Sequence, residues 1–389
     1  MNKIFIILLY ISFMSCKQQD ADLIKVNIVD GIRHSIKMPL SVVADDILFI
    51  PLETQHECIV GRITEILFFA DYIIVIDDLP QILLFDKIGK FVRKIGNKNE
   101  FLSLYSPIAI NGKLYVWDIH LNATLCYNLQ MEECVISQKH KFIPSTLKLF
   151  NDSLLVYYCS MPPYPGVAFS RLHFFSLDFE KSDSIWYDTE YSALKREFFD
   201  EGRVNTYMKN GNMYIWDSNL DTVFYLNKHL ERNPGYQLFL GRHALSEDNK
   251  YNIHYVDYMK DDEFMITKVM ETDKFFFIEG LFGRRYAKRI MYDKATKKSR
   301  DIIFNLDLHD AGFHNDIDGS IPFWPKGYVS QNVLYDYISP FELKRLMNDP
   351  YYKTIEFRDK AKNEAIRNFL ASAKITDNPI IFLATIKNE

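Results

Sequence analysis

The stretch that most constrains the fold is Ala70–Gly96, ADYIIVIDDLPQILLFDKIGKFVRKIG. It reads as three short strands, Tyr72–Ile76, Ile82–Phe85 and Phe91–Ile95, in immediate succession. The first break is Asp77-Asp78-Leu79-Pro80. The second is Asp86-Lys87-Ile88-Gly89, where glycine can take the positive φ that ends a tight hairpin. Two hairpin turns in 27 residues make a meander and leave no room for a crossover helix.

Weaker copies follow. They begin at Asn111 (NGKLYVWD), Asn151 (NDSLLVYY), Asn210 (NGNMYIWD), Thr272 (TDKFFFIE) and Lys326 (KGYVSQNVLYDY). From Ala70 onward the starts are 41, 40, 59, 62 and 54 residues apart. The shortest spacings match the roughly 40–50 residues of a four-stranded propeller blade, and the longer ones require loop insertions. One repeat cannot bury both faces of its own sheet, so the blades must pack on one another in a ring. The expected fold is therefore an all-β, six-bladed β-propeller. Short helices are predicted near the C-terminus, over Phe341–Met347 and Glu356–Leu370. The last apolar run, Ile380–Ile386, is a lone strand that needs a sheet, and pairing with Ile47–Ile50 in the last blade would close the ring.

The N-terminus carries different information. Met1–Ser15 has Lys3 followed by the apolar run Ile4–Tyr10, too short to span a bilayer, and reads as a secretory signal peptide. Phe13-Met14-Ser15-Cys16 is similar to a bacterial lipobox, which implies that Cys16 becomes an acylated N-terminal residue. Residues 16–40 are then expected to be the lipidated cysteine and its tether, and residues 41–389 one propeller domain. The remaining cysteines are Cys58, Cys126, Cys134 and Cys159. Cys126 and Cys134 flank a turn and are either a disulfide across a hairpin or buried free thiols. A net charge of −5 gives no basic face, so no nucleic-acid role is expected.

Asp46–Thr54 (DILFIPLET), Gly61-Arg62-Ile63, Leu83–Gly96, Asn315–Pro325 (NDIDGSIPFWP) and Asp377–Lys387 (DNPIIFLATIK) together resemble the six-bladed β-propeller lipoproteins of gut Gram-negative anaerobes. These are distant relatives of NHL-type propellers. The resemblance implies a propeller held in the cell envelope by an N-terminal lipid, and it carries over no catalytic residue. One departure is Asn97–Tyr105, NKNEFLSLY, where such proteins often have a glycine-rich run.

Several residues are candidates for chemistry. The copies end on Asp77, Asp118, Tyr158, Asp217 and Glu279. A ring of such carboxylates at the axis could hold Ca2+ or another divalent cation, or a polyhydroxyl ligand; alternatively each acid caps its own turn. His309–Gly319, HDAGFHNDIDG, is the densest polar cluster. His314, Asp316 and Asp318 sit at spacings like a calcium loop, but a histidine holds the first position and Pro325 the place of the bidentate glutamate. His309 and His314, with Asp310 and Asp316, could instead ligate a transition metal, or the segment is a loop held by its own Asx turns. Met161–Gly166 (MPPYPG) and Ile321–Gly327 (IPFWPKG) offer aromatics either to a sugar or peptide or to internal packing. Arg284-Arg285 with Lys288 and Arg289 is a basic run, either a solvated face or a contact for an acidic glycan. No GxSxG, Walker, HExxH or CxxC motif occurs. The function expected is a binding or scaffolding module for a glycan, a peptide or an envelope protein. The alternative is a metal-dependent hydrolase or lyase at the axial opening. Converging axial acids and a histidine would favour the latter.

Overall fold

The computed structural model describes residues 23–79, 81–96, 104–130, 134–160, 169–180, 182–188, 204–218, 220, 222–246, 259–284, 286–305, 310–350 and 352–387. Six antiparallel sheets of four principal strands form the ring expected from the repeats. Blade 1 is Ile63–Phe69, Tyr72–Asp77, Gln81–Asp86 and Phe91–Ile95. Blade 2 is Leu104–Ile110, Lys113–Asp118, Ala123–Asn128 and Cys134–Lys139. Blade 3 is Thr146–Phe150, Leu154–Tyr158, Phe169–Ser176 and Ser182–Asp188. Blade 4 is Val204–Lys209, Asn212–Asp217, Thr222–Leu226 and Arg232–Phe239. Blade 5 is Phe264–Glu271, Phe275–Phe282, Tyr286–Asp293 and Lys298–Asn305. Blade 6 is Gly327–Ser330, Val333–Ile338, Ile380–Ile386 and Ala44–Pro51.

Blade 1 shows why the ring must form. Ile73 and Val75 point into one apolar cluster, shared with Ile50, Tyr335 and Ile381 of blade 6. Ile74 and Ile76, alternating on the same strand, point into another, shared with Leu114 and Val116 of blade 2. The sheet is apolar on both faces because both are interfaces. Each such side chain contributes about 1.5–3 kcal/mol on burial, and none of it is available to an isolated blade. Corresponding clusters fill the interfaces between blades 2 and 3, 3 and 4, 4 and 5, and 5 and 6.

The ring closes as the sequence predicts. Ile380–Ile386 lies between Val333–Ile338 and Ala44–Pro51, antiparallel to both, so blade 6 is built from the two ends of the chain. The hairpin of blade 1 docks on this closure. Gly89 has φ +85°, and a Cβ there would sit 2.2 Å from the Pro51 carbonyl oxygen. Its own carbonyl accepts from Glu53 N at 2.8 Å.

Four expectations are corrected. First, the copies begin at the turn before the second strand in blades 1 to 5, and only the sixth, from Lys326, begins at a first strand. Asn111-Gly112 and Asn210-Gly211, all with positive φ, are the two-residue turns that join an unrecognised inner strand to the strand that was read. Second, residues 24–40 are not a tether. Ile24–Asn27 adds a parallel fifth strand to blade 4, Val29–Arg33 is helical, and Ser35–Ile36 pairs parallel with blade 5. Val26, Ile28 and Ile32 are buried between those blades. Third, the last helix is Lys360–Ser372, capped by the Asp359 carboxylate accepting from Lys362 N at 3.0 Å, so it starts later than Glu356. The preceding helix, Pro340–Asn348, lies where predicted. Fourth, Cys126 lies opposite Ile136 and Cys134 opposite Tyr127. Both are free thiols, the second of the two readings, as are Cys58 and Cys159; what is corrected is burial, since Cys126 is buried but Cys134 is exposed.

Phe382 is fully buried at the centre of the closing strand, in the largest apolar cluster. Phe382→Ala is expected to lower unfolding free energy by about 3–5 kcal/mol in a denaturant titration. The same titration on the exposed Leu48→Ala, across the same strand pair, is expected to show less than half that loss.

Candidate functional site

The first strands of the blades touch their neighbours around the axis: blade 1 with 2, 2 with 3, 3 with 4, 4 with 5, and 6 with 1. They enclose a cavity of about 520 Å³ whose wall is drawn from all six. Its charged residues are Glu65 of blade 1, Lys148 of blade 3, Lys268 of blade 5 and Lys326 at the entry to blade 6. Each of the first three is a lone charge inside an apolar strand, ITEIL, TLKLF and MITKVM. A strand between two blades has no solvent-facing side on which to put a charge. A charge there must point at the axis.

Local backbone irregularities help aim these groups. The pairing of first and second strands shifts register between Ile63 and Glu65, between Tyr105 and Ile108, between Ile266 and Lys268, and between Tyr328 and Ser330. Bulges of this kind re-aim side chains. Glu65 and Lys268 are each the first residue to resume pairing, opposite Ile76 and Glu279.

The cavity charges are poorly compensated. The Lys268 ammonium donates to the Lys326 carbonyl oxygen at 2.5 Å. Glu65 and Lys148 have no side-chain hydrogen bond or ion pair among the described residues. Burial raises the Glu65 carboxyl above its ordinary range, opposed by the charges of Lys148 and Lys268. Burial likewise lowers Lys268, opposed by Glu279 and Glu65 and reinforced by Lys326. Lys326 itself is neutralised, with Nζ 2.7 Å from Asp336 Oδ1 and 3.9 Å from the centroid of the Tyr337 ring. Ile63, Lys326 and Tyr337 also line a second cavity of about 410 Å³, with Arg62, Arg289, Asp336 and Glu342. Where the inner strands of blades 4 and 5 end, Glu271 takes ion pairs from both Lys209 and Lys294 and a hydrogen bond from Tyr207. Burial and the neighbouring Lys209 charge push Lys294 down to about 8, against the pull of Glu271.

The residues singled out from sequence lie elsewhere. Asp77, Asp118 and Asp217 end second strands, one layer out from the axis. Asp77 accepts from Gly61 N at 2.7 Å, Leu79 N at 3.1 Å and Gln81 Nε2 at 2.8 Å. Asp118 accepts from His120 N and Leu121 N at 2.9 and 3.0 Å. Asp217 accepts from the Tyr158 hydroxyl at 2.7 Å and pairs with the fully buried Arg171 at 3.3 Å, joining blades 3 and 4. Glu279 faces Lys268 and accepts from Trp324 Nε1 at 2.9 Å. Asp336, overlooked in the worn sixth copy, accepts from Trp324 N at 3.1 Å.

The polar loop is likewise internal. Asp316 accepts from Ser41 N at 2.9 Å and Ser41 Oγ at 2.5 Å. Asp318 is buried and accepts from Asn315, Ser320 N and Ser320 Oγ. The backbone of His314 bonds to Met38 and Leu40, and burial lowers its imidazole pKa. His309 and Met161–Gly166 lie outside the described residues. Among the described residues no three His, Cys, Asp or Glu side chains converge as a metal site. Ile321, Phe323 and Trp324 are buried and offer no stacking surface, and Lys288 is held by Asp301 at 2.8 Å.

The sequence profile of DUF4934, described as a domain of unknown function, matches residues 23–385. The chain belongs to the DUF4934 family. No curated protein matches it. Among solved structures it is similar to a candidate exported protein of Bacteroides fragilis, with a TM-score of 0.68 and 17% identity over 94% of this chain and all of that one. It is also similar to a member of the DUF4221 family from Bacteroides vulgatus, with a TM-score of 0.51 and 11% identity over 89% of this chain and 98% of that one. At these identities the likeness is one of fold.

For this DUF4934 protein the raised Glu65 pKa has a measurable sign. A carboxyl raised in the folded state favours folding below its unfolded pKa, and that contribution is lost as pH rises through the folded value. Charged Glu65 therefore opposes folding at neutral pH. Glu65→Gln is expected to raise Tm at pH 7 and to leave it nearly unchanged at pH 4, in calorimetric scans at both values. An equal shift at both pH values would contradict a desolvated, ionised Glu65.

Proposed function

We propose that this protein is a lipid-anchored binding module of the cell envelope whose ligand enters the axial cavity. The observation that carries the reading is Glu65, facing Lys148 and Lys268 across a cavity walled by all six blades. Unpaired, desolvated charges oppose stability and are a mark of functional sites. The export half of the reading is supported by the signal-like Met1–Ser15, by the lipobox-like Phe13–Cys16 and by the fold shared with a candidate exported protein. Among the described residues no helix is long and apolar enough to cross a membrane. The ligand is a glycan, a peptide or a segment of an envelope protein.

Two measurements test this. In a Gram-negative host, the protein is expected to incorporate labelled palmitate and to sediment with membranes, and Cys16→Ala is expected to abolish both. Glycan-array and envelope-extract capture with the processed protein is expected to give hits that Lys268→Met weakens at least tenfold. Hits that Lys268→Met and Glu65→Gln leave unchanged would overturn the axial cavity as the ligand site.

A further inference from the structure

We propose that the axial cavity is a site for a sugar acid, a carboxylate-bearing molecule the size of a monosaccharide to disaccharide. Its carboxylate would be held by Lys148 and Lys268, and its hydroxyls would donate to Glu65. The inference rests on reading the cavity as the ligand site and deepens it by naming the ligand class.

Size comes first. A cavity of about 520 Å³ lies within the roughly 300–1,000 Å³ of small-molecule sites. Charge decides the rest. Lys326 is cancelled by Asp336, so one carboxylate, Glu65, faces two ammonium groups inside the wall. Within the wall the surplus is a single positive charge, which one ligand carboxylate balances; Glu279, opposite Lys268 but outside the wall, is already engaged by Trp324 Nε1. A phosphate dianion would overshoot beside Glu65, and among the described residues the wall holds neither an arginine fork nor a helix N-terminus to favour it. Glu65 in turn needs a donor. A ligand ammonium would meet two lysines, whereas a hydroxyl donates without adding charge. A molecule with one carboxylate and several hydroxyls satisfies both demands.

The wall suits such a ligand elsewhere. Asn205 accepts from Val269 N at 2.8 Å through Oδ1, which turns its amide group towards donating. The Thr146 and Thr206 hydroxyls stand 3.3 Å apart on neighbouring inner strands and can each exchange a hydrogen bond with a ligand oxygen. Tyr105 also lines the wall and is exposed, and an aromatic ring there can pack against the C–H surface of a sugar.

The test is calorimetric titration of the processed full chain in detergent, at low salt, with galacturonate, glucuronate, galactose and glucose. Lys148→Met, Lys268→Met and Glu65→Gln are run in parallel, with Tm confirming that each variant is folded. The expected result is that at least one uronate binds ten or more times tighter than its neutral parent. Either lysine substitution weakens it at least tenfold, and Glu65→Gln narrows the preference for uronate over plain acetate. Neutral sugars that bind as tightly as uronates, and lose affinity in the cavity variants, would overturn the acid and keep the cavity. No uronate binding up to tens of millimolar, with capture hits that still depend on Lys268, would do the same. Uronate binding indifferent to all three substitutions would overturn both readings.

Discussion

The structure depends on one constraint: each blade is a sheet with two apolar faces. Ile73 to Ile76 are all buried, yet alternate residues serve different interfaces, with blade 6 on one side and blade 2 on the other. No subset of blades satisfies this. Only a closed ring gives every sheet two neighbours, so closure is not a late ornament but the condition for the rest. The device that achieves it is the pairing of Ile380–Ile386 with Ala44–Pro51, which commits both ends of the chain to one blade. The segment Ile24–Ile36 extends this logic by crossing the outer edges of blades 4 and 5 before entering blade 6, covering edges that would otherwise be open.

The same constraint creates the candidate site. The inner strands have interfaces on two sides and the axis on the third. The interfaces admit charges only as satisfied pairs, such as Asp217 with Arg171, so the charges on these strands that lack an ion-pair partner collect at the axis. Glu65, Lys148 and Lys268 come from blades 1, 3 and 5 and meet only because the ring is closed. Glu65 and Lys148 have no side-chain partner among the described residues and Lys268 has only the Lys326 carbonyl, which keeps all three available to a ligand. The contrast with Glu271 is instructive. That carboxylate, also buried, is saturated by Lys209, Lys294 and Tyr207, and it ties blades 4 and 5 together rather than facing a cavity.

The fold was legible because its signals are local. The Gly89 turn, the alternation at Ile73–Ile76 and the lone C-terminal strand each follow from short-range chemistry. The inner strands of blades 2 and 4 are hidden for a reason that is equally local: Asn-Gly at 111–112 and 210–211 looks like the start of a copy and is the turn inside one. That slip of one strand moves attention a layer out from the axis, to Asp77 and Asp118, which cap turns, and to Asp217, which ties blade 4 to Tyr158 and Arg171 of blade 3. The site residues left a fainter trace, a single charge within an otherwise apolar strand. Such a charge has meaning only when the strands on both sides are known to be interfaces, and that knowledge comes from the ring. His314, Asp316 and Asp318 looked like ligands because a loop stitched by Asx turns and a ligand loop share the same residue types.

The central claim is that the axial charges are desolvated and coupled through an open cavity rather than independently solvated. The most direct measurement is the titration of the Lys268 Nζ by heteronuclear NMR on lysine-labelled protein, in the wild type and in Glu65→Gln. The account predicts a Lys268 pKa below the ordinary lysine range that falls further when the Glu65 charge is removed. An ordinary lysine pKa, unmoved by Glu65→Gln, would contradict it.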